Sequence, residues 1–364
     1  MRDRDIFEEL FVLELANNHW GNLDRGLKII EDFGKIVRFN NIRAAIKLQF
    51  RDVDSFIHKD FTKRDDIRYI KKTLDTKMSR EGYASLIDAI RKNGCLTMAT
   101  PFDETSVNLC MDLGLQFIKL ASSDINDWPL IEKVAKTRKP VIVSTGGSSL
   151  KDLDDLVVFF SNRNIPLAIN HCVSIYPSED YELELNQIDF LKNRYPHNTI
   201  GFSSHEYHSW DYSIVIAYAK GARTFERHID IDYGSVSVSP YCTLPEQADE
   251  WFKAFYKAKE MCGHSGESKR IAPEKEIQYL NSLVRGVYVK RDLPKGYMIK
   301  HEKIDEDIYM AIPLQKGQIS CRELMSGEVL LKELKKDDPV RIDDLDSPYA
   351  NYEKLKSLIY NRGI

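Results

Sequence analysis

The feature that most constrains the fold is a regular alternation of short apolar segments with amphipathic helical patterns from about residue 10 to residue 262. Nearly continuous apolar strands that alternate with helices are typical of parallel β pairing. Eight such units in roughly 250 residues predict a closed (β/α)8 TIM barrel of the α/β class. An open doubly wound sheet is the alternative, and the lack of a Gly-x-Gly-x-x-Gly motif after the first strand counts against it. The predicted strands are residues 10–16, 43–49, 95–100, 116–122, 140–145, 166–172, 199–204 and 222–228.

A change of composition near residue 263 predicts a second domain. The segment GHSGESKRIAPEKE is polar and contains Gly, Ser and Pro, which is typical of a linker. Short strand-like segments with turn signals follow, and apolar residues at helical spacing near the end of the chain predict a short docking helix. The predicted boundaries are a barrel at 1–265, a linker at 266–283, a small β-rich domain at 284–345 and a tail with a short helix at 346–364.

Composition excludes several classes of protein. A hydrophobic fraction of 43% suffices for a sizeable core, and no apolar run approaches the ~20 residues that span a bilayer. The net charge of −4 gives no global basic field for nucleic acid. The N-terminal residues contain no signal-peptide apolar region, and the six cysteines, Cys321 among them, include no Cys-x-x-Cys pair. We therefore expect a reduced, cytoplasmic protein.

Polar residues concentrate at the carboxyl ends of the predicted strands, where TIM barrels have their active sites. Buried without partners, each would cost a few kcal/mol, so we expect them to converge on one cavity. In strand order they are Glu14, Asn17, Asn18 and His19; Lys47 and Gln49; Thr100 and Asp103; Lys119, Ser122 and Asp124; Ser144 and Thr145; His171, Ser174 and Tyr176; Ser203 and His205; Glu226 and His228.

Two histidines follow adjacent predicted strands. Because such strands lie about 4.7–4.9 Å apart, His205 and His228 could share one divalent metal ion, with water or substrate oxygens as the other ligands. Either histidine alone could equally be a satisfied core or surface residue. His19 and His171 fit a structural role better than a ligand role.

The charged and hydroxyl residues of the strands could have structural or binding roles. A lysine within an apolar strand, as Lys47 and Lys119 are, indicates a buried anion or a Schiff base, although pairing with surface acids is the alternative. Arg227 points away from the face that Glu226 and His228 share, so we expect it to form a structural pair outside the barrel interior. The hydroxyl groups could be ordinary sheet residues, but with two lysines they would form a phosphate-binding site; they are Thr100, Ser122, Ser144 and Ser203.

Seven segments of the barrel region matter together: ELANNHWGNLDRGLKII, AAIKLQF, ATPFDETSVNLCMDLGLQFIKLASSDINDWPLI, KPVIVSTGG, HCVSIYPS, GFSSHE and GARTFERHI. The region 284–345 contains the segments RGVYVKRDLPKGYMI and LMSGEVLLKEL. Taken in order, the barrel segments resemble the sialic acid synthases, which make N-acetylneuraminate and other nonulosonic acids, and the region 284–345 resembles their C-terminal antifreeze-like (SAF) domain.

The resemblance implies a specific reaction. Phosphoenolpyruvate condenses with the open-chain aldehyde of an amino sugar to give a 2-keto-3-deoxy sugar acid, and phosphate leaves by C–O cleavage. A divalent metal, commonly manganese or magnesium, polarises the aldehyde oxygen. The resemblance also implies a domain-swapped homodimer in which the SAF domain caps the barrel of the partner.

The resemblance also implies roles for individual residues. His205 and His228 match the metal ligands, Glu14 matches a carboxylate that handles protons, and Glu226 matches an acid near the metal and the sugar. The positions that match phosphoenolpyruvate contacts are Lys47, Thr100, Lys119, Ser122, Ser144 and Ser203, and those on the sugar side are Gln49, Asp124 and Tyr176.

Three departures from the family pattern concern the sugar side. Ser174 stands where the family has Asn, and the loop IDYGSVSVSP lacks a Pro-Asp pair, so a sugar-binding acid is missing unless Asp230 or Asp232 replaces it. The segment IYMAIPLQKGQIS lacks the arginine that the SAF domain contributes. We therefore expect N-acetylmannosamine to be a poor acceptor, and a 6-deoxy diacetamido hexose or a phosphorylated or otherwise modified aldose to be a better one.

Two other functions remain open at this point. A lysine Schiff-base aldolase would use Lys119 or Lys47 as its nucleophile. A sugar-binding relative that has lost catalysis would explain the missing sugar contacts, but it has no physical reason to keep Glu14, both lysines and the two histidines.

Overall fold

The computed structural model describes residues 5–64, 66–263, 266, 268–320, 322–323, 327–348 and 350–364. Within these ranges the chain divides into two units, Met1–Gly263 and His264–Ile364. Each unit has its own hydrophobic core.

The first unit is built on eight parallel strands that close into a barrel in sequence order. This confirms the predicted (β/α)8 TIM barrel, because each strand lies within a predicted one to within about two residues. The strands are β1 (Leu10–Ala16), β2 (Ala44–Phe50), β3 (Leu96–Pro101), β4 (Phe117–Leu120), β5 (Val141–Ser144), β6 (Leu167–Cys172), β7 (Thr199–Ser204) and β8 (Thr224–His228).

Helices cover the outside of the barrel, with three of them between β2 and β3. They are α1 (Leu23–Phe39), α2 (Val53–Phe56), α3 (Arg68–Asp75), α4 (Arg80–Lys92), α5 (Glu104–Asp112), α6 (Trp128–Lys136), α7 (Leu150–Ser161), α8 (Asn186–Arg194), α9 (Trp210–Lys220) and α10 (Pro245–Cys262). Helix α1 shows how the sequence forms such an element. Asn22 caps its first turn by accepting a hydrogen bond from the Arg25 amide, and its buried residues, such as Ile29 and Phe33, face the core at helical spacing.

The interior of the barrel has an apolar layer below a polar one. Val12, Ala45, Met98, Phe117 and Ile142 belong to one small buried cluster. Because strand side chains alternate with a period of two, the inward residues two places further along are polar. They are Glu14, Lys47, Thr100, Lys119 and Ser144. The strand pattern therefore places a charged layer at the carboxyl end of the barrel.

The second unit contains short strands around a separate core. Its strands are β9 (Gly286–Val289), β10 (Met298–Ile299), β11 (Ile308–Ala311), β12 (Glu328–Leu330) and β13 (Leu345–Asp346), in one three-stranded and one two-stranded sheet. Its helices are α11 (Glu274–Leu283), α12 (Ile304–Asp307) and α13 (Glu353–Tyr360). Cys321 and residues 324–326 of the segment LMSGEVLLKEL lie outside the described residues.

Two helices of the second unit bear on the sequence-based expectations. Helix α13 forms where the apolar spacing in the tail predicted one, and its Ile359 is buried in the second core. Helix α11 lies in the segment predicted as a linker, and the polar composition there did not predict it. Among the described helices, none combines the length and the apolar character needed to cross a bilayer.

Candidate active site

A cavity of about 900 Å³ opens at the carboxyl ends of the strands, near the upper limit for small-molecule sites. The structure brings together here every residue that the sequence assigned to catalysis, metal or substrate. They are Glu14, Lys47, Gln49, Thr100, Lys119, Ser122, Asp124, Ser144, Tyr176, Ser203, His205, Glu226 and His228. Their individual roles remain predictions.

Two lysines and two glutamates form a charged cluster inside the cavity. The Nζ atom of Lys119 lies 3.0 and 2.9 Å from the two carboxylate oxygens of Glu226. Lys47 Nζ lies 3.0 Å from Glu226 Oε1 and also forms an ion pair with Glu14. The strand register explains the second pair, because Glu14 on β1 is aligned with Lys47 on β2. Two positive and two negative charges therefore balance one another before any substrate binds.

The electrostatics of the cluster distinguish its two acids. Burial tends to raise the pKa of Glu226, but Lys119 and Lys47 outweigh it and lower that pKa far below its ordinary value. Burial raises the pKa of Glu14, and Lys47 only partly opposes it. Glu14 Oε1 has no hydrogen-bond partner in the described part of the chain. Glu226 is thus a permanent counterion, which does not suit proton donation, whereas Glu14 suits general acid–base work.

The two lysines also differ. Burial lowers the pKa of Lys47, but the carboxylates of Glu14 and Glu226 outweigh burial and raise that pKa to about 12. Burial lowers the pKa of Lys119 in spite of Glu226. Lys47 therefore remains a cation at any physiological pH. Its Nζ also donates a 3.2 Å hydrogen bond to Thr100 Oγ1, which fixes both groups at the cavity wall.

Serine hydroxyls line the side of the cavity formed by β4, β5 and β7. Ser122 lies in a short helical turn after β4, Ser122–Asp124, and not in the strand as predicted. The Gly146 amide donates a 3.0 Å hydrogen bond to Ser122 Oγ. A Cβ atom on Gly146 would lie 2.1 Å from Ser174 Oγ and 2.9 Å from Ser122 Oγ, so a larger residue would displace both hydroxyl groups. Ser144 Oγ is buried and has no protein partner among the described residues, so it is available to a ligand oxygen.

The two predicted metal-binding histidines lie together, with ring centroids 5.5 Å apart. His205 Nδ1 lies 2.9 Å from the Val173 carbonyl oxygen, which can only accept, so the proton is on Nδ1 and Nε2 keeps its lone pair. Burial lowers the pKa of His205 to about 4, and burial together with His205 lowers that of His228. Both rings are therefore neutral, the form that binds metal ions.

The donor set fits a divalent metal with an open coordination sphere. Among the described residues, no group of three or more His, Cys, Asp and Glu side chains is arranged to hold a metal. His205 and His228 would therefore supply two ligands, and water and substrate oxygens the others. Tyr176 and Tyr241 pack against His228 at centroid distances of 6.0 and 5.1 Å and shield it on one side.

The predicted sugar-side residues line the cavity from β2, from the turn after β4 and from the segment after β6. Gln49 accepts a 3.1 Å hydrogen bond from Arg51 Nη1. Asp124 accepts one of 2.7 Å from Ser123, and burial raises the pKa of Asp124 to about 6. Tyr176 packs on His205 with a centroid distance of 4.0 Å.

Other polar residues named from the sequence serve the scaffold. His171 Nε2 lies 2.7 Å from the Leu183 carbonyl oxygen, and His19 is fully buried and does not line the cavity. Arg227 forms the predicted structural pair, with its Nη1 atom 2.9 Å from Glu206 Oε1.

Neither acid considered as a replacement for the missing sugar contact reaches the cavity. Asp230 is buried and forms a 2.6 Å ion pair with Arg25, so its carboxylate is already neutralised. Asp232 is exposed and lies outside the cavity lining. Neither acid therefore replaces the contact that the family pattern has at this loop.

Three cations at the cavity were not predicted from the sequence. Arg51 follows β2, while Arg68 and Lys72 lie one turn apart on α3, and all three line the cavity. The signal available in the sequence was the four-residue spacing of Arg68 and Lys72, which places both on one face of a helix. Tyr69 and Tyr241 also line the cavity and were likewise missed.

Comparisons with known proteins agree with this fold. The NeuB family model matches residues 41–265. A solved structure described as spore coat polysaccharide biosynthesis protein E of Chromobacterium violaceum is 34% identical, with a TM-score of 0.87 over 93% of this chain and 100% of that one. The N,N'-diacetyllegionaminic acid synthase of Campylobacter jejuni is 26% identical over 91% of this chain and 98% of its own length. The N-acetylneuraminate-9-phosphate synthase of Drosophila melanogaster is 26% identical over 79% of this chain and 84% of its own.

Proposed function

The chain belongs to the NeuB family, and from that premise we propose that it condenses phosphoenolpyruvate with an aldose to give a 2-keto-3-deoxy sugar acid and phosphate. Two of the relatives named above are synthases, one of N,N'-diacetyllegionaminic acid and one of N-acetylneuraminate 9-phosphate. The observation that carries the proposal is the cavity in which a neutralised lysine pair, a hydroxyl-lined wall and two neutral histidines meet.

Phosphoenolpyruvate would bind between the lysines and the hydroxyl groups. Glu226 holds Lys47 and Lys119 side by side against their mutual repulsion, because it pairs with both. The two ammonium groups can then contact the carboxylate and phosphate of the substrate as point charges. Ser144 and its neighbours donate hydrogen bonds to the remaining oxygens.

Side chains of the protein would then transfer the protons of the reaction. C3 of phosphoenolpyruvate forms a bond to the aldehyde carbon as the aldehyde C=O double bond opens, and water adds at C2. Of the two protons of that water, one ends on the former aldehyde oxygen, which becomes a hydroxyl group, and the other leaves with phosphate. Glu14, with its raised pKa and unpartnered Oε1, would accept a proton from that water. The tetrahedral C2 centre then expels phosphate with cleavage of the C–O bond. A divalent metal held by His205 and His228 would supply Lewis acidity at the aldehyde oxygen.

The test is release of inorganic phosphate from phosphoenolpyruvate. We expect release only with manganese or a similar ion and a sugar from a panel of 2-acetamido- and diacetamidohexoses and their 6-phosphates. A mass matching sugar plus the three-carbon unit should appear in parallel. Release without any sugar, or none with the whole panel, would contradict the proposal.

A homodimer is a separate proposal that rests on the family resemblance. Sedimentation equilibrium at micromolar concentration should give twice the 42.1 kDa chain mass. A single species at the chain mass would reject the dimer and leave the proposed reaction unaffected.

A further inference from the structure

The cavity has a group of cations that the proposed chemistry does not use. Arg51, Arg68 and Lys72, here called the cationic rim, all line the cavity. Arg68 is exposed and Lys72 is half-buried, so both can reach a ligand. The question is what these three charges bind.

The rim lacks carboxylate partners. In the portion of the chain that the structure describes, none of its three side chains lies within ion-pair distance of an Asp or Glu. Arg51 instead donates to Gln49 Oε1 and lies 3.7 Å above the ring of Phe102, which fixes its direction. Most other cations near the strand ends are paired, as Lys47 and Lys119 are. Three like charges beside one cavity repel one another, and a bound anion would relieve that repulsion.

No stability argument explains the rim. Arg68 lies in the first turn of α3, and that turn has no acidic residue. A cation at this position is unfavourable because the helix N-terminus is itself positive. Burial lowers the pKa of Lys72; Cys242 and Asp230 oppose that shift, and the neighbouring charges of Arg68 and Arg51 reinforce it. The positions of Arg68 and Lys72 are therefore explained better by binding than by helix stability.

The rim and the hydroxyl-lined wall lie on opposite sides of the barrel. Arg51, Arg68 and Lys72 all follow β2 in the segment that leads to α4. In a closed barrel with the order β1 to β8, β2 lies opposite β6, and the hydroxyls come from β5, β7 and the turn after β4. One anion site is thus already assigned to phosphoenolpyruvate, and a second faces it across the cavity.

We propose that the acceptor sugar carries a phosphate group at the end distant from its aldehyde, and that the cationic rim binds this phosphate. The inference rests on the proposed function and specifies its substrate class. A phosphate dianion suits three cations better than a monoanionic sulfate or carboxylate does, and arginine matches phosphate geometry with paired N–H donors.

The test compares acceptors and rim variants in the phosphate-release assay. The acceptors are 2-acetamido-2-deoxyhexoses and 2,4-diacetamido-6-deoxyhexoses without charge, the hexosamine 6-phosphates and 6-sulfates, and the corresponding 6-carboxylates. We expect kcat/KM for a 6-phosphate to exceed that for its uncharged parent by about 10²-fold or more. Arg68→Gln and Lys72→Gln should each lower kcat/KM for the 6-phosphate by about tenfold, and they should change kcat/KM for the uncharged parent and the KM for phosphoenolpyruvate much less.

Lys71→Gln is the matched control. Lys71 lies on the same helix, pairs with Asp75 at 3.2 Å and does not line the cavity. It removes the same charge and should leave the ratio between 6-phosphate and parent sugar at its wild-type value. If Lys71→Gln lowered the ratio as much as Lys72→Gln does, general electrostatic attraction would explain the preference for the 6-phosphate. That result would overturn the proposal.

The other outcomes separate this inference from the proposed function. If an uncharged, sulfated or carboxylated sugar gives the highest kcat/KM, the reaction stands and the phosphate subsite is rejected. If the rim variants raise only the KM for phosphoenolpyruvate, the rim serves that substrate instead and the inference fails. If no sugar releases phosphate, calorimetric titration with the 6-phosphates decides. If the 6-phosphates bind and Lys72→Gln weakens that binding, the phosphate subsite is supported and the proposed reaction is rejected. If the 6-phosphates do not bind, both are rejected.

Discussion

The charges inside the cavity and those on its rim differ in one respect, which is whether they have partners. Lys47 and Lys119 are neutralised by Glu14 and Glu226 within the barrel. Arg68 and Lys72 line the same cavity without carboxylate partners among the described residues. A buried charge must be paired because leaving it unpaired costs several kcal/mol. A charge in contact with solvent can remain unpaired until a ligand binds. The interior can thus hold a fixed reaction geometry, and the rim can set the choice of sugar.

The largest expected effect comes from breaking the interior balance. Glu226→Gln leaves two buried ammonium groups with the single carboxylate of Glu14. We expect the free energy of unfolding to fall by about 3–5 kcal/mol, and phosphate release to fall on the order of 10³-fold. Denaturant unfolding and the release assay measure the two effects. Asp232→Asn removes an exposed carboxylate outside the cavity and should match wild type; an equally stable and active Glu226→Gln would show that the pairing is dispensable.

Removal of the metal should abolish the reaction without unfolding the barrel. Chelation should stop phosphate release and added Mn²⁺ should restore it, because His205 and His228 are neutral nitrogen donors. His228→Ala should lose tight Mn²⁺ binding in a calorimetric titration and keep its melting temperature to within a few degrees. His208→Ala changes an exposed histidine outside the cavity and provides the control. Full activity after chelation would exclude the metal.

A smaller effect is expected at Asp124, a cavity residue that forms no ion pair with any residue the structure describes. Burial raises its pKa from 3.8 to about 6, so the folded protein binds this proton more tightly than the unfolded chain does. The stability it contributes is fully present below about pH 4 and is lost as the pH rises through 6. Asp124→Asn should therefore become more stable than wild type at pH 7.5 by on the order of 2 kcal/mol, and the gain should vanish near pH 4. A gain that is the same at both pH values would contradict the assigned shift.

We expect no effect from borohydride, the reagent that traps a lysine Schiff base. The raised pKa of Lys47, about 12, keeps its ammonium group protonated and poorly nucleophilic, and the ion pair with Glu226 holds Lys119 in place. Borohydride added with pyruvate or a longer keto acid should leave the mass of the protein unchanged. A stable adduct that disappears in Lys119→Arg would instead support a Schiff-base aldolase, since Lys119 has the lowered pKa of the two.

The sequence predicted what depends on periodicity and missed what depends on long-range packing. Period-two alternation placed Glu14, Lys47 and Glu226 inside the barrel, because each comes two residues after another inward position. It could not show that Glu226 bridges both lysines, since that depends on the barrel register.

The conformation of the loops was the second feature that the sequence could not predict. Asp230 was considered for the sugar site, yet it pairs with Arg25, 205 residues away in the chain. The rim was missed because the segment between β2 and α4 has no strand to fix its direction. Helix α11 was missed because its residues are mostly polar and none is buried.

The most direct test of the account follows the bridging oxygen of phosphoenolpyruvate. Phosphoenolpyruvate with ¹⁸O between C2 and phosphorus is incubated with the protein, Mn²⁺ and the best acceptor sugar. The masses of both products are then measured by mass spectrometry. Addition of water at C2 predicts that the label leaves with inorganic phosphate and that the keto acid contains none. Label retained in the keto acid would mean cleavage of the P–O bond, and it would contradict the mechanism assigned to this cavity.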